Sequence, residues 1–532
     1  MDECQTNHQK CREVLKPNDS YAYPKRLIDV SQAPTGRIYL CDDFSTNNSR
    51  PHYAALSHCW GTREFTCLTS ASYKAFVAGV AIDEFAQTFQ DAIEFTQRLG
   101  LKYLWVDSFC IIQDSIVDWQ SESANMRDVY AGSYVTIAAT HSSDSFQSLY
   151  SERCPALLNP PTVDLRQRNG ASERYCLMDH AAWNAGIQDS PLDERGWVLQ
   201  ERLLSPRVLH FGHTQLIWEC LEKDATETLP HGLLPGRTPM GDAFRLKSFF
   251  PSVNSNPDFN CTVNGQYEEQ WRPYILWGQV VENYSKRQLS YSSDKLIAIS
   301  GIAKMFDGSF PLSCRNYVAG LWRESIERQL LWHLDDIQSV EPVYRAPSWS
   351  WASVDGRVCQ PLCWGRGSVK AQVSSVHVDN YYADNDYGMV KTAHLVVDGE
   401  LIPITLGALD GGTNINPSSR YMETVDGTRM PTEAENFLGS LDPEVRLDYL
   451  EACALDADRL YCMPLFYDET VQELRGLILF HEEAKDQYKR IGTFWSWTFE
   501  NIEIILQAKS AEGLDNGQDA DSVKRMRHVV IV

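Results

Sequence analysis

In the N-terminal part of the chain, short apolar runs typical of strands alternate with stretches whose apolar residues recur at helical spacing. This pattern predicts the order of strands and helices. The run "YAALSHCWG" (53–61) is apolar at first and closes in a polar cluster. Residues 84–100 carry apolar side chains at helical spacing and end at Gly100, a residue type that commonly terminates helices. "YLWVD" (103–107) and "SYVTIAAT" (133–140) have the length and composition of buried strands.

A second helix is predicted at residues 115–132, where apolar side chains again recur on one face and Asp118 is expected to cap the N-terminus. Strand, helix, strand, helix and strand thus follow one another along the chain. That order is typical of an α/β fold with a parallel sheet flanked by helices. The strand at 103–107 is expected to run through the middle of that sheet.

The whole pattern divides the chain into four predicted segments. Residues 1–52 are polar apart from two strand-like runs separated by turn formers, and they predict a β-hairpin extension. Residues 53–220 are the α/β segment. Residues 221–340 are predicted to be mostly helical with a long loop, and residues 341–532 form a C-terminal β-rich unit.

The composition narrows the classes of partner and compartment. A net charge of −23 argues against nucleic acid or an anionic lipid surface as the partner, because phosphate binding requires a cationic surface. No apolar run approaches the roughly 18 residues of a membrane-spanning helix, and the N-terminus does not resemble a signal peptide. We therefore expect a soluble, cytoplasmic protein without a membrane span.

The 15 cysteines are scattered, and their pattern does not predict a metal site. No CxxC pair is present, and the closest pair, Cys359 and Cys363, has no histidine cluster beside it. Reduced thiols in an intracellular protein are therefore the expectation.

Polar side chains follow two of the predicted strands at the point where each strand ends. The carboxyl ends of parallel strands meet at one edge of a sheet, which is where ligands bind in open α/β sheets. For Asp107 and Ser108 the alternative is helix capping or loop hydrogen bonding. We expect a substrate-binding edge formed by Ser57, His58, Trp60, Asp107, Ser108 and Cys110.

Two of these residues have an alternative role in packing. Trp60 could stack on a base or a nicotinamide ring, although a Trp before Gly more often packs in the core. Cys110 beside His58 would form a nucleophile–base pair, but a Cys after an apolar strand is most often buried and inert.

A third polar stretch, "ERGWVLQERLLSPR" (194–207), concentrates charged side chains. Arg195, Glu201 and Arg202 are expected to support the site, or else to form a salt-bridge network that holds the sheet to the next unit. The sequence lacks a glycine-rich phosphate loop, so a kinase, an NTPase and a Rossmann dehydrogenase have no support.

Three blocks together resemble the fungal heterokaryon-incompatibility (HET) domain family over roughly residues 53–220. They are "ALSHCWG", the long block from "TFQDAIEFTQRLG" through "YLWVDSFCIIQDSIVDWQSES" to "SYVTIAAT", and "ERGWVLQERLLSPRVLHFG". The later "SDKLIAISGIA" and "YRAPSWSWASVDG" also resemble the family's stand-alone members. His58 stands where members usually have Tyr, and Ala86 where a Pro usually precedes the helix.

The resemblance implies a TIR-like α/β fold and a part in fungal cell death after non-self recognition. Some TIR domains cleave NAD with a Glu on the helix that follows a central strand. Glu122, in "DWQSES", matches that Glu, so the resemblance makes it the candidate catalytic residue. The alternative is a structural ion pair with Arg195 or Arg202.

Three hypotheses of function follow. The chain is an incompatibility or cell-death effector with TIR-like NAD or nucleotide glycohydrolase activity, or a non-catalytic, self-assembling signalling module. In the third hypothesis it is a HET-like enzyme of secondary metabolism that acts on a small organic substrate in the same cleft. The sequence assigns no cofactor, and NAD is a candidate substrate. The expected partners are a small-molecule or nucleotide ligand and further copies of the chain.

Overall fold

The computed structural model describes most of the chain. It covers residues 1–233 except for 15–21, 43, 45–49, 155–157, 160–161, 167–171 and 177–182, and then residues 247, 271–309, 317–334, 344–360, 367–382, 385–408, 420–424, 444–447, 459–470, 472–496 and 527–532. Most of the long loop predicted within 221–340 lies outside the described residues.

The α-helices of the described residues are α1 (Asp2–Asn7), α2 (Gln9–Val14), α3 (Tyr73–Ala78), α4 (Gln87–Arg98), α5 (Asp107–Cys110), α6 (Ile116–Ala131), α7 (Val198–Leu204), α8 (Arg272–Ser285), α9 (Ile297–Ser309) and α10 (Ile326–Gln329). The strands up to residue 226 are β1 (Leu27–Asp29), β2 (Arg37–Cys41), β3 (Tyr53–Ser57), β4 (Val80–Ala81), β5 (Tyr103–Trp105), β6 (Val135–Ala138), β7 (Thr162–Arg166), β8 (Ser172–Cys176), β9 (Arg207–Phe211), β10 (Leu216–Cys220) and β11 (Asp224–Thr226).

The later strands are β12 (Tyr317–Val318), β13 (Leu321–Trp322), β14 (His333–Leu334), β15 (Val358–Cys359), β16 (Gly367–Val369), β17 (Gln372–Asn380), β18 (Val390–Gly399), β19 (Ile402–Ala408), β20 (Arg420–Thr424), β21 (Glu444–Leu447), β22 (Leu460–Asp468), β23 (Glu473–Glu482), β24 (Gln487–Ser496) and β25 (Arg527–Ile531).

The chain divides into two compact units. Unit 1 comprises Met1–Asn260, Arg287–Leu289 and Ile297–Pro311, and unit 2 comprises Cys261–Lys286, Ser290–Leu296 and Leu312–Val532. The predicted boundaries after residues 52 and 220 fall inside unit 1. The predicted N-terminal hairpin, formed by β1 and β2, therefore belongs to the same unit as the α/β segment. The division into four segments stays a prediction.

In the described part of unit 1, nine strands form a mixed sheet in the order β11-β10-β9-β6-β3-β5-β1-β2-β4. The four strands β9, β6, β3 and β5 are parallel, as the alternation of strands and helices predicts. The strands on both sides of them are antiparallel, because the N-terminal hairpin adds β1 beside β5 and a second hairpin adds β10 beside β9. The α/β class is confirmed, but the sheet is mixed.

The position of β5 corrects one expectation. We predicted that the strand at 103–107 runs through the middle of the parallel sheet, whereas β5 is the outermost parallel strand and pairs with antiparallel β1. The central place belongs to β3, with β5 on one side and β6 on the other. All five residues of β3 are buried, as expected for a strand covered on both faces.

Helices α4 and α6 form where the sequence predicts the two helices of this unit. In α4 the side chains of Phe89, Ala92, Ile93 and Thr96 are buried, and Gly100 has φ +73, a backbone conformation that favours glycine after a helix end. In α6 the cap differs from the prediction, because Ser115 and not Asp118 accepts the hydrogen bond, from the backbone N–H of Asp118 at 3.3 Å. Asp118 is instead turned inward, 7% exposed.

Unit 2 is rich in strands among the residues that the structure describes, while the assignment of residues 341–532 as one β-rich unit stays a prediction. Among the described residues, its sheet has ten strands, with the path β17-β18-β25-β24-β23-β22-β19-β20, β16 paired to β22 and β21 to β24. Most neighbouring strands are antiparallel, and β24 with β25 is a parallel pair. Among the residues that the structure describes, no helix has the length and apolar character needed to cross a membrane.

Replacing the cap of α6 should weaken unit 1. Ser115→Ala removes the side-chain acceptor of the first turn and should cost about 1 kcal/mol of unfolding free energy. Ser121→Ala, an exposed position in the same helix, should cost nothing, because alanine has the higher helix propensity. Urea unfolding of the full chain followed by circular dichroism measures the difference. An equal loss in both variants would contradict the assignment of Ser115 as the cap.

Candidate functional site

The ends of β3 and β5 bring the predicted edge residues together. Ala55 of β3 pairs with Trp105 of β5 in parallel register. Two residues further along the chain come Ser57, the last residue of β3, and Asp107, the first residue of α5, so both lie at the same edge of the sheet. The structure thus places the two polar clusters of the sequence at one carboxyl edge, as expected for a parallel strand pair.

Asp107 is held from three directions. The indole Nε1 of Trp60 donates a hydrogen bond to its Oδ2 at 2.9 Å, and the backbone N–H of Ser108 donates to its Oδ1 at 2.7 Å. The Nδ1 of His58 lies 3.7 Å from the same Oδ1. Trp60 stacks near-parallel on His58, with ring centroids 6.4 Å apart. Trp60 and Asp107 are the half-buried members of this group, and both orient His58.

The turn after Trp60 requires glycine. Gly61 has φ +74, and a Cβ at this position would lie 2.4 Å from Cβ of Asp144. Any larger residue would displace the turn, so the "HCWG" sequence supplies both the aromatic contact and the tight return of the chain.

Burial keeps His58 neutral. The side chain is 1% exposed, and loss of solvation, only partly offset by Asp107, lowers the pKa of His58 to about 4. Its Nε2 is buried and has no hydrogen-bond partner among the described residues. Near neutral pH the imidazole is therefore uncharged and has one nitrogen available to a further group.

Glu201 joins this edge from helix α7. Its Oε2 accepts a hydrogen bond from Oγ of Ser57 at 2.5 Å. The hydroxyl of Tyr130, which donates to the backbone carbonyl of Leu56 at 3.2 Å, lies beside the same carboxylate and helps to lower its pKa. Arg195 attracts the carboxylate electrostatically and also donates from Nη1 to the backbone carbonyl of His58. Desolvation outweighs these partners and raises the pKa of Glu201 to about 6. A carboxyl group with this pKa exchanges protons near neutral pH.

Arg202 lies in a neighbouring ion-pair network. Its Nε and Nη2 donate to the two carboxylate oxygens of Glu219 at 2.8 and 2.9 Å. His210 contacts the same carboxylate through Nε2 at 3.1 Å, and Asp193 lies 3.6 Å from Arg202 Nη1. This bidentate geometry favours the alternative of a salt-bridge network for Arg202.

A small cavity lies between the two networks. Ser57 lines it at the end of β3, Thr140 follows β6, and His210 lies on β9. The cavity offers about 10 Å³ to the centre of a water molecule, room for roughly one water. In this conformation it does not accommodate a nucleotide.

The comparison with known protein families identifies this region. Residues 53–201 match the family described as "Heterokaryon incompatibility protein (HET)". This segment of the chain is a HET domain. The match begins at β3 and ends at Glu201, so it includes every predicted site residue except Arg202. No curated protein and no solved structure matches the chain significantly.

Cys110 of the HET domain is buried in α5, with no measurable exposure. Desolvation raises the pKa of its thiol to about 12, so the nucleophilic thiolate is strongly disfavoured at neutral pH. This environment fits the inert alternative for Cys110 better than a nucleophile–base pair with His58. Ser108, likewise buried, donates its backbone N–H to Asp107, while its Oγ lacks a hydrogen-bond partner among the described residues.

Glu122 lies in a separate cluster of the HET domain. It is 2% exposed on α6, and burial raises its pKa against the attraction of Arg26 and Lys25. Asp118, one turn earlier, accepts from Lys25 at 3.0 Å and from Arg26. No contact among the described residues joins Glu122 to Ser57 or Glu201. Its nearby cations come from the N-terminal segment and are not the Arg195 or Arg202 named from sequence.

Sequence reasoning missed three groups in unit 1. Tyr130 lies near the end of α6, and no signal in the sequence places its hydroxyl beside Glu201. Arg26 precedes β1 and reaches Asp118 only through the sheet pairing. The described residues also hold a compact group of Cys4, His8, Cys11 and Cys220. The spacing in "CQTNHQKC" was the available signal for this last group, although its fourth member is remote in sequence.

The opposite pKa shifts of His58 and Glu201 predict opposite effects on stability. His58 ordinarily titrates near 6.5 and in the fold near 4, so its contribution is complete above pH 6.5 and is lost as pH falls toward 4. Glu201 ordinarily titrates near 4.5 and in the fold near 6, so its contribution is complete below pH 4.5 and is lost as pH rises through 6.

Variants should separate the two contributions. In the wild type, His58 makes the unfolding free energy decrease as the pH falls from 6.5 to 4. The variant His58→Gln should remove roughly 3 kcal/mol of this decrease. The variant Glu201→Gln should enlarge the decrease in unfolding free energy between pH 6 and pH 4.5 by roughly 2 kcal/mol. Urea unfolding across this pH range measures both slopes, with the exposed Glu64→Gln as control. Shifts of the same sign in both variants would refute these protonation states.

Proposed function

We propose that this protein is an effector of fungal heterokaryon incompatibility and that its HET domain cleaves a nucleotide-type small molecule, with NAD as the substrate to test first. The family match supports the first part. The four parallel strands with their polar carboxyl edge support the second, since they agree with the TIR-like fold that the resemblance implies.

One observation carries the proposal. Within the matched segment, Glu201 is buried, hydrogen-bonded to Ser57, and has its pKa raised to about 6. A group that gains and loses a proton near neutral pH is suited to general acid–base catalysis, and such groups concentrate at active sites. Half-buried Trp60 and Asp107 form the outer side of the same network, so we place substrate entry there.

The proposed reaction is hydrolysis of the bond between the ribose and the nicotinamide. The C–N bond breaks, and nicotinamide leaves with the electron pair. A water oxygen bonds to the ribose carbon, and its proton passes to Glu201. Stacking of the nicotinamide or adenine on Trp60 would orient the substrate. Buried carboxylates stabilise the developing positive charge of the sugar.

Glu122 is the competing candidate for the catalytic carboxylate. The TIR resemblance favours it, and its raised pKa is compatible with that role. Its neighbours Arg26 and Lys25 also fit a structural ion-pair cluster. The proposal assigns the acid–base role to Glu201, because Glu201 shares a network with the edge residues of β3 and β5.

Glu201→Gln should abolish catalysis while the fold survives. Loss of a general acid–base group costs about 100-fold or more in kcat, and glutamine keeps the size and one acceptor oxygen. Nicotinamide release from NAD by the purified full chain, measured by chromatography, gives the rate. Growth arrest on induced expression in a filamentous fungus should disappear in the same variant. Circular dichroism and thermal unfolding verify that the variant is folded.

Two further variants complete the test. Glu64→Gln, an exposed carboxylate of the same segment, should keep wild-type activity. Glu122→Gln should keep most of it if Glu122 is structural. Loss in Glu122→Gln with activity retained in Glu201→Gln would transfer the catalytic role to Glu122. Absence of NAD and nucleotide cleavage by the wild-type chain would refute the enzymatic part of the proposal.

The size of the cavity favours a second candidate function, a non-catalytic module that signals by self-assembly. About 10 Å³ at the carboxyl edge leaves no room for a nucleotide in this conformation. Ile116 and Val117 are 75% and 77% exposed in the first turn of α6, and two adjacent exposed apolar residues form a contact point for a second copy of the chain.

The double variant Ile116→Ser, Val117→Ser should lose self-association. In the signalling function, wild-type protein forms larger species with rising concentration, because burying these side chains on a partner removes apolar surface from water. Light scattering coupled to size-exclusion chromatography measures the mass. Val77→Ser, an exposed apolar position on α3, serves as the control and should assemble like wild type. A monomeric wild type at every concentration would exclude this function.

A further inference from the structure

Three cysteines and a histidine converge in unit 1 outside the HET-domain site. Cys4, His8 and Cys11 come from the two short N-terminal helices α1 and α2, and Cys220 ends β10. All four side chains are buried, and one potential ligand atom from each lies within 4.8 Å of all the others. Three sulfurs and one imidazole nitrogen are the donor set of many structural zinc sites.

The distances fit a tetrahedral ion. Bonds of about 2.3 Å to sulfur and about 2.0 Å to nitrogen place tetrahedral ligand atoms roughly 3.5 to 3.8 Å apart. The Nδ1 of His8 lies 3.4 Å from Sγ of Cys220 and 3.9 Å from Sγ of Cys11. His8 is therefore at tetrahedral ligand distance from two of the sulfurs, and all four ligand atoms lie within 4.8 Å of one another.

A buried arginine indicates that the sulfurs carry negative charge. Arg207 is 0% exposed, and its Nε donates to Sγ of Cys4 at 3.3 Å. Its other donors reach only the backbone carbonyls of Cys11 and Tyr134. No carboxylate of the described residues lies at ion-pair distance from it. Because a buried guanidinium requires a counter-charge, the sulfur cluster is the group that provides it.

Zinc satisfies this charge requirement. Three thiolates around Zn²⁺ leave one net negative charge, which the guanidinium of Arg207 neutralises. The backbone N–H groups of Glu222 and Lys223 also donate to Sγ of Cys220, in the tight turn that connects β10 to β11. Hydrogen bonds of this kind orient ligands around protein metal ions and tune their affinity.

We propose that unit 1 binds a structural Zn²⁺ ion through Cys4, His8, Cys11 and Cys220. Four protein ligands close the coordination sphere, so the ion would have a structural and not a catalytic role. Its effect is to fasten the N-terminal helices to the sheet. Helices α1 and α2 have six residues each, too few to be stable alone, so the metal bonds supply the free energy that their own length does not.

The spacing of the four ligands in the sequence does not match a CxxC zinc motif. The first three ligands follow the pattern Cys-x3-His-x2-Cys in "CQTNHQKC", and no CxxC pair announces them. Cys220 joins them only because β10 lies at the matching place in the folded sheet. The proposal is independent of any activity at Glu201.

Metal analysis of the full chain tests the site. Protein produced in zinc-supplemented medium and purified without chelators should contain about one zinc per chain by inductively coupled plasma mass spectrometry. Cys220→Ser should bind zinc at least about 100-fold more weakly, since losing a ligand should cost no less than losing an outer-shell partner. Cys41→Ser changes a half-buried cysteine of the same unit outside the cluster and should retain the full metal content.

A second measurement uses only the wild-type protein, so its result does not depend on the folding of Cys220→Ser. Metal-free wild-type protein titrated with Co²⁺ should develop the visible bands of tetrahedral cobalt with thiolate ligands, with an end point of about one equivalent. An organomercurial thiol reagent should release zinc stoichiometrically from the untreated protein.

Three results would overturn the proposal. One is a wild-type chain with almost no zinc and no cobalt–thiolate band. Another is equal zinc in wild type and Cys220→Ser. The third is a disulfide among Cys4, Cys11 and Cys220, detected by mass spectrometry of the chain purified without reductant.

Discussion

Pairing of charges away from water determines how the polar edge of unit 1 is assembled. Glu201 is 2% exposed, and a carboxylate at that depth is stable only beside a cation and hydrogen-bond donors. Arg195 and Ser57 provide them, Tyr130 lies beside the same carboxylate, and each comes from a different part of the chain. The requirement therefore fixes the start of α7, the end of β3 and the end of α6 in one arrangement. Because desolvation still outweighs these partners, Glu201 keeps a pKa near 6.

The same constraint recurs around three other arginines of unit 1. Arg26 pairs with Asp118, Arg202 with Glu219, and Arg207 with the sulfur of Cys4. The pairs of Arg26 and Arg207 join segments that are distant in sequence, and Arg202 joins helix α7 to the nearby strand β10. Buried or partly buried guanidinium groups therefore connect separate elements of this unit. Their rigid fork geometry suits this role, since one group can hold a carboxylate or sulfur together with backbone carbonyls.

The HET domain thus combines a neutral histidine and a proton-exchanging carboxyl group at one edge of a sheet. His58 and Glu201 have pKa values displaced in opposite directions by burial, which is the environment in which acid–base roles are divided between neighbours. The small cavity at this edge sets the main condition on the proposed reaction. A nucleotide must enter from the side of Trp60 and Asp107, or the domain signals without turnover.

The alternation of strands and helices in the matched segment, the α/β class and the HET resemblance were determined by the sequence alone, while the functional role of the edge residues stays a prediction. Local periodicity and strand ends carry that information, because they depend on neighbouring residues. Only the tertiary structure decided the antiparallel flanks of the sheet, the outer position of β5 and the true cap of α6. It also separated Glu122 from the Ser57–Glu201 network and brought Cys220 beside Cys4, His8 and Cys11. These features depend on contacts between segments that are remote in sequence. Burial and charge pairing stabilise such contacts, and they produce no periodic pattern of residues.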